Sequence, residues 1–183
     1  LLYQTNTSLK GDLFMEPSRQ QHNIDPVWSP DARVLILGSF PSVKSREAAF
    51  FYGHPQNRFW EVMAAVLGEP VPVDVPTKKA MLLRHGIALW DVIASCTITG
   101  SSDSSIRDVV PNDVGRLLAA SQISAIFCNG RKSFSLYNTS LRDSLGLNAV
   151  CLPSTSPANA RWTLDKLIDT WGAALAEALD GKC

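Results

Sequence analysis

Four short apolar runs, separated by stretches of helical periodicity, constrain this chain more than any other feature. They are "RVLILGSF" (residues 33–40), "IALWDVIA" (87–94), "SAIFCNG" (124–130) and "NAVCLPSTSP" (148–157). Strands with so little polar alternation bury both faces, and strands that alternate with helices build a parallel sheet covered on both sides. Between them, "NRFWEVMAAVL" places Phe59, Val62, Met63 and Val66 on one helical face, and "TKKAMLLRHG" is a helix stopped by Gly86. "PNDVGRLLAAS" reads as a helix opened by Pro111 and Asn112, and "RKSFSLYNTSL" as another. A final helix over about residues 160–179 sets Leu164, Leu167, Ile168, Trp171 and Leu175 on one face. The expected architecture is a three-layer α/β/α domain around a central parallel four-stranded sheet.

Residues 1–25 are polar and aperiodic and contain an internal Met15, so they read as a flexible N-terminal tail, leaving 26–183 as a single domain. With 183 residues, 45% of them hydrophobic, the chain can bury one sizeable core. Lys plus Arg and Asp plus Glu number 17 each, so a nucleic-acid partner must be held by a local patch rather than by the field of the whole molecule. No apolar run reaches the roughly 18 residues of a membrane helix, and no charged start precedes an apolar run, which fits a cytoplasmic, unanchored protein, expected to be a monomer. Cys96, Cys128, Cys151 and Cys183 are far apart, with no C-x-x-C pair, so no metal site is expected. The first three lie in or beside strands and read as small buried thiols in a reducing compartment. His22 and His85 read as surface residues.

In a sheet of this kind the ligand sits beyond the carboxyl ends of the strands. The loops there are "GSFPSVKSREAAFFYGHPQN", "ASCTITGSSD", "CNGRK" and "LPSTSPAN". The first is far longer than the 2–6 residues usual between a strand and a helix, and a loop of such length generally holds a ligand. None carries a G-x-G-x-x-G, a P-loop or a G-x-S-x-G elbow. What they carry is amides, hydroxyls, aromatics and local cations: Asn57, Asn129, Ser154, Ser156, Phe40, Tyr52, Lys44, Arg46, Arg58, Arg131, Lys132 and Arg161. That is chemistry for a planar polar base and its phosphates.

The segment from Gly38 to Trp60 resembles the first motif region of the uracil-DNA glycosylase superfamily, near its mismatch-specific uracil/thymine branch, where G-x-N-P-G is followed by an aromatic-rich loop and "HPxNRFW". "GIALWDVI", "TGSSD", "FCNGRK" and "LPSTSPA" follow in the matching order, and the likeness runs from about Arg33 to Trp171. Phe40 stands where that branch keeps a catalytic Asn, and Leu152 where many relatives begin the second motif with His or Asn. "GSFPS" with "YGHPQNRFW" is instead similar to the hypoxanthine-DNA glycosylase branch, which relies on the Asn of "HPQN", here Asn57.

The resemblance implies a cofactor-free, monofunctional DNA N-glycosylase that acts on double-stranded DNA containing a deaminated or mismatched base. Asn57 would be catalytic, its carbonyl orienting water and its amide donating to the departing base. Gly38, Ser39, Phe40, Phe51, Tyr52 and Asn129 would bind the base, with Tyr52 as its stacking floor. Ser42, Lys44, Arg58, Lys132, Ser154, Ser156, Asn159 and Arg161 would bind the DNA backbone. Hypoxanthine and uracil share a lactam edge, and one amide complements either, so hypoxanthine is favoured by the branch while uracil stays open. Asn57 also precedes an apolar helical run and suits a helix cap. Asn129 could merely close a turn with Gly130. Two rivals from other classes are a serine hydrolase using Ser39 or Ser42 with His54 or His85, and a non-catalytic reader of damaged DNA.

Overall fold

The computed structural model describes residues 16–180. The near-continuous apolar runs become strands β2 (Val34–Gly38), β3 (Ile87–Asp91), β6 (Ala125–Asn129) and β7 (Ala149–Leu152). They form one parallel sheet in the order β3-β2-β6-β7, with Gly38 level with Asp91 and Asn129 level with Leu152. Every residue of β2 and β3 is buried, as the absence of alternation requires.

Helices α2 (Phe59–Leu67), α3 (Val75–Arg84), α5 (Arg131–Ser140) and α7 (Leu164–Leu179) cover the sheet, with short α1 (Val43–Glu47), α4 (Val114–Ala119) and α6 (Arg142–Leu145) between them. Helix α3 opens with a reciprocal capping box between Asp74 and Thr77 and gives way to Gly86 at φ +67°. Helices α2 and α7 meet through Phe59 and Trp171, whose rings stand edge to face 6.0 Å apart, and each such buried aromatic adds about 0.5–1.5 kcal/mol beyond its area.

The structure departs from the sequence reading in several places. Residues 18–25 are not tail: Ser18–Gln21 form strand β1, paired antiparallel with β4 (Ile93–Ile98), and Ile24 is buried. A polar strand like this lacks hydrophobic alternation and is held by backbone pairing, so periodicity cannot reveal it. The part of the expected tail over residues 1–15 lies outside the described residues, as does Cys183.

The run 87–94 is not one strand. It turns after Asp91, where Asn112, expected to open a helix, instead donates its buried amide to the carbonyls of Asp91 (2.9 Å) and Ile93 (3.1 Å). The chain then leaves the parallel sheet for a second, antiparallel one in the order β1-β4-β5, with β5 at Arg107–Pro111. Asp113 rather than Asn112 caps α4. Helix α7 begins at Leu164, capped by Thr163, because residues 156–162 are taken up by turns. Cys96 and Cys128 are buried, but Cys151 is exposed because β7 is the edge of its sheet. His85 is partly exposed, bound to Glu69, whereas the His22 side chain is 4% exposed.

Candidate active site

The connection leaving β2 runs to one side of the sheet and that leaving β6 to the other, which opens a crevice at their carboxyl ends. A cavity of about 300 Å³ lies there. Of the residues expected at the site, Gly38, Ser39, Phe40, Ser42, Lys44, Phe51, Tyr52, Asn57, Asn129, Ser154 and Ser156 line it. The long loop is shaped by helix α1, which Ser42 caps by accepting from the Ser45 amide, while Ser45 Oγ accepts from Gly53 at 3.1 Å. Phe40 and Phe51 are 8% and 2% exposed, so they are walls shared with the core more than free surfaces.

The Asn57 side chain is fixed by two hydrogen bonds that also define which end of its amide is which. Its Oδ1 accepts from the Phe59 amide at 3.0 Å and from Thr155 Oγ1 at 2.9 Å. Only an oxygen can accept from a backbone N–H, so the amide nitrogen is the end left over. Thr155, fully buried, is locked in turn: Asn129 Nδ2 donates to its Oγ1 (2.9 Å) and its backbone N–H donates to Asn129 Oδ1 (3.0 Å). The expected division of labour in Asn57 therefore changes. Its carbonyl is fully engaged and holds the side chain, and its Nδ2, with no partner among the described residues, is the chemically available group. Asn57 is not the N-cap of α2: Arg58 holds that place without a side-chain cap bond, and Asn57, one residue earlier, pins the first helical N–H, so anchoring and presentation coexist in one residue. Asn129 does more than close a turn: it is the far anchor of the same network.

Tyr52 sits at φ +53°, a left-handed conformation that a bulky residue adopts only under restraint, and such strain collects at functional sites. Its ring stacks on Phe59 with centroids 4.0 Å apart and planes 23° apart, and the residue lines the cavity. Its hydroxyl is buried without a hydrogen-bond partner among the described residues. Burial, with the nearby Asp91 charge adding to it and Asn129 opposing, raises the phenol pKa far above its ordinary value, so the hydroxyl remains a donor. A planar ring stacked here would gain about 1–3 kcal/mol. Single-turnover rates should accordingly fall about tenfold or more for Tyr52→Ala, with a smaller loss for Tyr52→Phe; equal losses would transfer the role from the ring to the hydroxyl.

Asp91 and Asp103, not expected at the site, also line the cavity, as does His54. Asp91 is 4% exposed, and its Oδ2 meets His22 Nε2 at 2.8 Å. Ser39 Oγ donates to Asp103 Oδ1 at 3.3 Å. Loss of water around the Asp103 carboxyl raises its pKa, against the pull of Ser39 and Lys132. Ser42 is spent on its cap and its contact with Ser45, His54 Nδ1 accepts from Gln56, and His85 lies with Glu69 beside Gly86, at the opposite end of β3. No Ser–His pair therefore forms among the described residues, and the serine-hydrolase rival loses its constellation.

The expected DNA contacts divide. Arg58 is engaged within the protein: its guanidinium donates to the carbonyls of Thr155, Ser156, Asn159 and Trp162. Asn159 donates to Ser154 O at 2.9 Å and likewise belongs to the loop's own scaffold. Lys44 Nζ meets Glu47 at 2.9 Å on an exposed face. Ser154 Oγ and Ser156 Oγ accept from the amides of Ser156 and Ala158, shaping the turn. Ser154 also packs on Gly130, where φ is +97° and an added Cβ would lie 2.9 Å from Ser154 Cβ. Lys132 and Arg161 form no ion pair or hydrogen bond among the described residues, which leaves them available to phosphate.

A strand-end crevice holding fixed amides, a strained tyrosine and few cations defines a nucleobase-sized site on an α/β domain. The chain belongs to the uracil DNA glycosylase superfamily, whose family model matches residues 26–176. It is 36% identical over 142 residues to a Methanosarcina acetivorans protein named hypoxanthine DNA glycosylase, covering 76% of this chain and 89% of that one. A Methanosarcina barkeri protein of the same name is 32% identical over 144 residues, covering 78% and 90%. A solution NMR structure from Methanosarcina acetivorans, of a protein named as a candidate uracil DNA glycosylase, superposes with a TM-score of 0.74 at 31% identity, covering 86% of this chain and 98% of that one.

Proposed function

We propose that this protein is a monofunctional DNA glycosylase that removes hypoxanthine from double-stranded DNA, and that Asn57 is its catalytic residue. The observation that carries the reading is the Asn57 carboxamide, oxygen-locked by Phe59 and Thr155 with its nitrogen available at the cavity. The names of the two Methanosarcina relatives support the choice of base.

The bond is hidden in a duplex, so the nucleotide must be flipped out at a cost of a few kcal/mol, least where the base is mispaired or damaged. Stacking on Tyr52 recovers part of that. The C1′–N bond breaks with its electron pair going to the base and leaves an oxocarbenium-like sugar. A solvent water then bonds C1′ and gives up a proton to solvent or to the departed base, so the products are the free base and an abasic site, and no strong general base is needed for so electrophilic a sugar. Asn57 Nδ2 donates to the departing base, an interaction that strengthens as charge develops, and one such donor is worth about 2.7–4 kcal/mol. Lys44, the cation at the cavity wall, is tied to Glu47, so its amine is not set as a nucleophile. The active unit is a monomer working in the cytoplasm.

Duplexes holding one hypoxanthine, uracil, xanthine or T·G mispair, treated with protein and then alkali, test this reading. Strand breaks fastest at hypoxanthine are expected; a shifted duplex without breaks at any base would make the protein a reader of damage instead. Because the available cations are few, log K should fall with log salt as for about two to four phosphates, near −0.9 for each. A repressor-like slope measured by salt titration would contradict the local patch.

A further inference from the structure

Tyr52 keeps a backbone conformation, φ +53°, that glycine would adopt without strain. A strained residue persists only where its surroundings over-determine it. The ring contact with Phe59 does not suffice, because a hold on the ring leaves the peptide planes on either side of Cα free to turn. We propose that Ser45 is a positioning residue: against the opposing hold of Trp60, it clamps the backbone of Tyr52 in its strained form and so sets the ring as the floor on which the flipped base stacks. The proposal rests on the glycosylase reading above.

The two holds come from different helices and grip the two peptides that flank Tyr52. Ahead of it, the Phe51 carbonyl accepts from Trp60 Nε1–H at 3.2 Å, and Trp60 is buried in the first turn of α2. Behind it, the Gly53 amide donates to Ser45 Oγ at 3.1 Å, and Ser45 is buried in α1. Only φ and ψ of Tyr52 are soft between those planes, so holding both planes holds both angles. Phe50 ties the same frame together: its amide donates to Ser45 O at 3.1 Å, and its ring stacks on Trp60 with centroids 5.9 Å apart. Besides the Gly53 amide, the Ser45 hydroxyl meets Ser42 Oγ at 3.1 Å, and both of its contacts lie within the loop.

Gly53 shows how closely the loop is drawn onto α1. A Cβ there would stand 3.1 Å from Lys44 O, 3.2 Å from Ala48 Cβ and 3.3 Å from Ser45 Cα, so a side chain would push the Gly53 amide away from Ser45. The glycine is thus spent on close approach, while the strained position beside it carries a tyrosine. Ease of backbone alone would select glycine at position 52; what tyrosine supplies there is a ring at the cavity.

Ser45→Ala removes the acceptor and leaves the backbone N–H through which Ser42 caps α1. Single-turnover excision from hypoxanthine duplex is measured for wild type, Ser45→Ala, Tyr52→Ala and the double variant. The Kd of each is measured for a duplex holding a tetrahydrofuran abasic analogue, which has no base to stack. Ser45→Ala should be slower by about tenfold, the scale of a lost base stack. Added to Tyr52→Ala it should cost less than about twofold more, because a residue that acts through the ring then has nothing left to position. Its Kd for the abasic duplex and its circular dichroism should match wild type. Gly53→Ala, which keeps every hydrogen-bonding group, should give the same pattern by lifting the loop from α1, and it decides the matter should Ser45→Ala not fold. A wild-type rate in the folded variant, a loss that adds in full to that of Tyr52→Ala, or an equal loss of affinity for the abasic duplex overturns the inference and leaves the glycosylase reading standing. Wild-type protein inert on every duplex overturns both.

Discussion

Asn57→Asp should fold and melt as the wild type does, yet lose at least about two orders of magnitude of single-turnover rate on hypoxanthine duplex, the scale of one lost transition-state donor. The substitution separates two roles that the structure joins in one side chain. An aspartate oxygen can still accept from the Phe59 amide and from Thr155, so the start of α2 and the link to the β7–α7 loop persist. What changes is the other end, where an N–H₂ donor becomes a second carboxylate oxygen. That oxygen cannot donate to a departing base and repels one carrying negative charge. Asn57→Ala should lose a similar rate and about 1 kcal/mol of stability besides, the usual value of a side chain that satisfies a helix-start N–H. Rapid-quench measurement of excision with protein in excess checks both. Wild-type rates in Asn57→Asp would reduce the residue to an anchor for the start of α2.

The second large effect falls on stability. Arg58→Ala should lower the unfolding free energy by about 3 kcal/mol, since hydrogen bonds from a charged group are worth about 1.5–3 kcal/mol each and are not additive when one group makes several. For a domain of this size that is a melting temperature lower by roughly 6–12 °C. The guanidinium spans the carbonyls of Thr155, Ser156, Asn159 and Trp162, which lie in a loop without regular structure, and the first three each accept one backbone N–H besides. Arg58→Lys should recover little, because a single ammonium cannot reach a fan of carbonyls that a planar five-donor group can. Excision should fall too, because the loop carries Thr155, which holds Asn57 by its oxygen. Calorimetry and the alkali assay together decide the matter: an unchanged melting temperature with weakened duplex affinity would return Arg58 to the DNA surface.

Arg58 shows where reading from the chain runs short. A cation beside a strand-end loop is equally suited to a phosphate and to backbone carbonyls, and composition cannot tell which acceptor is within reach. The same holds for Asn57. Its place in "HPQN" ahead of an apolar helix marks it as cap and as candidate catalyst, but which amide atom faces the cavity depends on Thr155, 98 positions away. His22 was legible only as a polar residue in an aperiodic segment. Its burial follows from β1 pairing with β4, a contact across roughly 75 residues that leaves no mark on hydrophobic periodicity.

The sequence by itself determined the parallel four-stranded sheet, the helices that cover it and the end of the sheet where the site lies. Burial of both strand faces and of one helical face must be written into residue spacing, since those contacts outweigh every other term. It also determined the family, through motifs held in order along the chain. Only the tertiary structure decided which polar atoms meet: the antiparallel sheet that brings His22 to Asp91, the Thr155 link that turns the Asn57 nitrogen outward, and the fan of carbonyls around Arg58. Hydrogen bonds are directional and short, so a partner is defined by an ångström of placement that residue type and spacing do not encode.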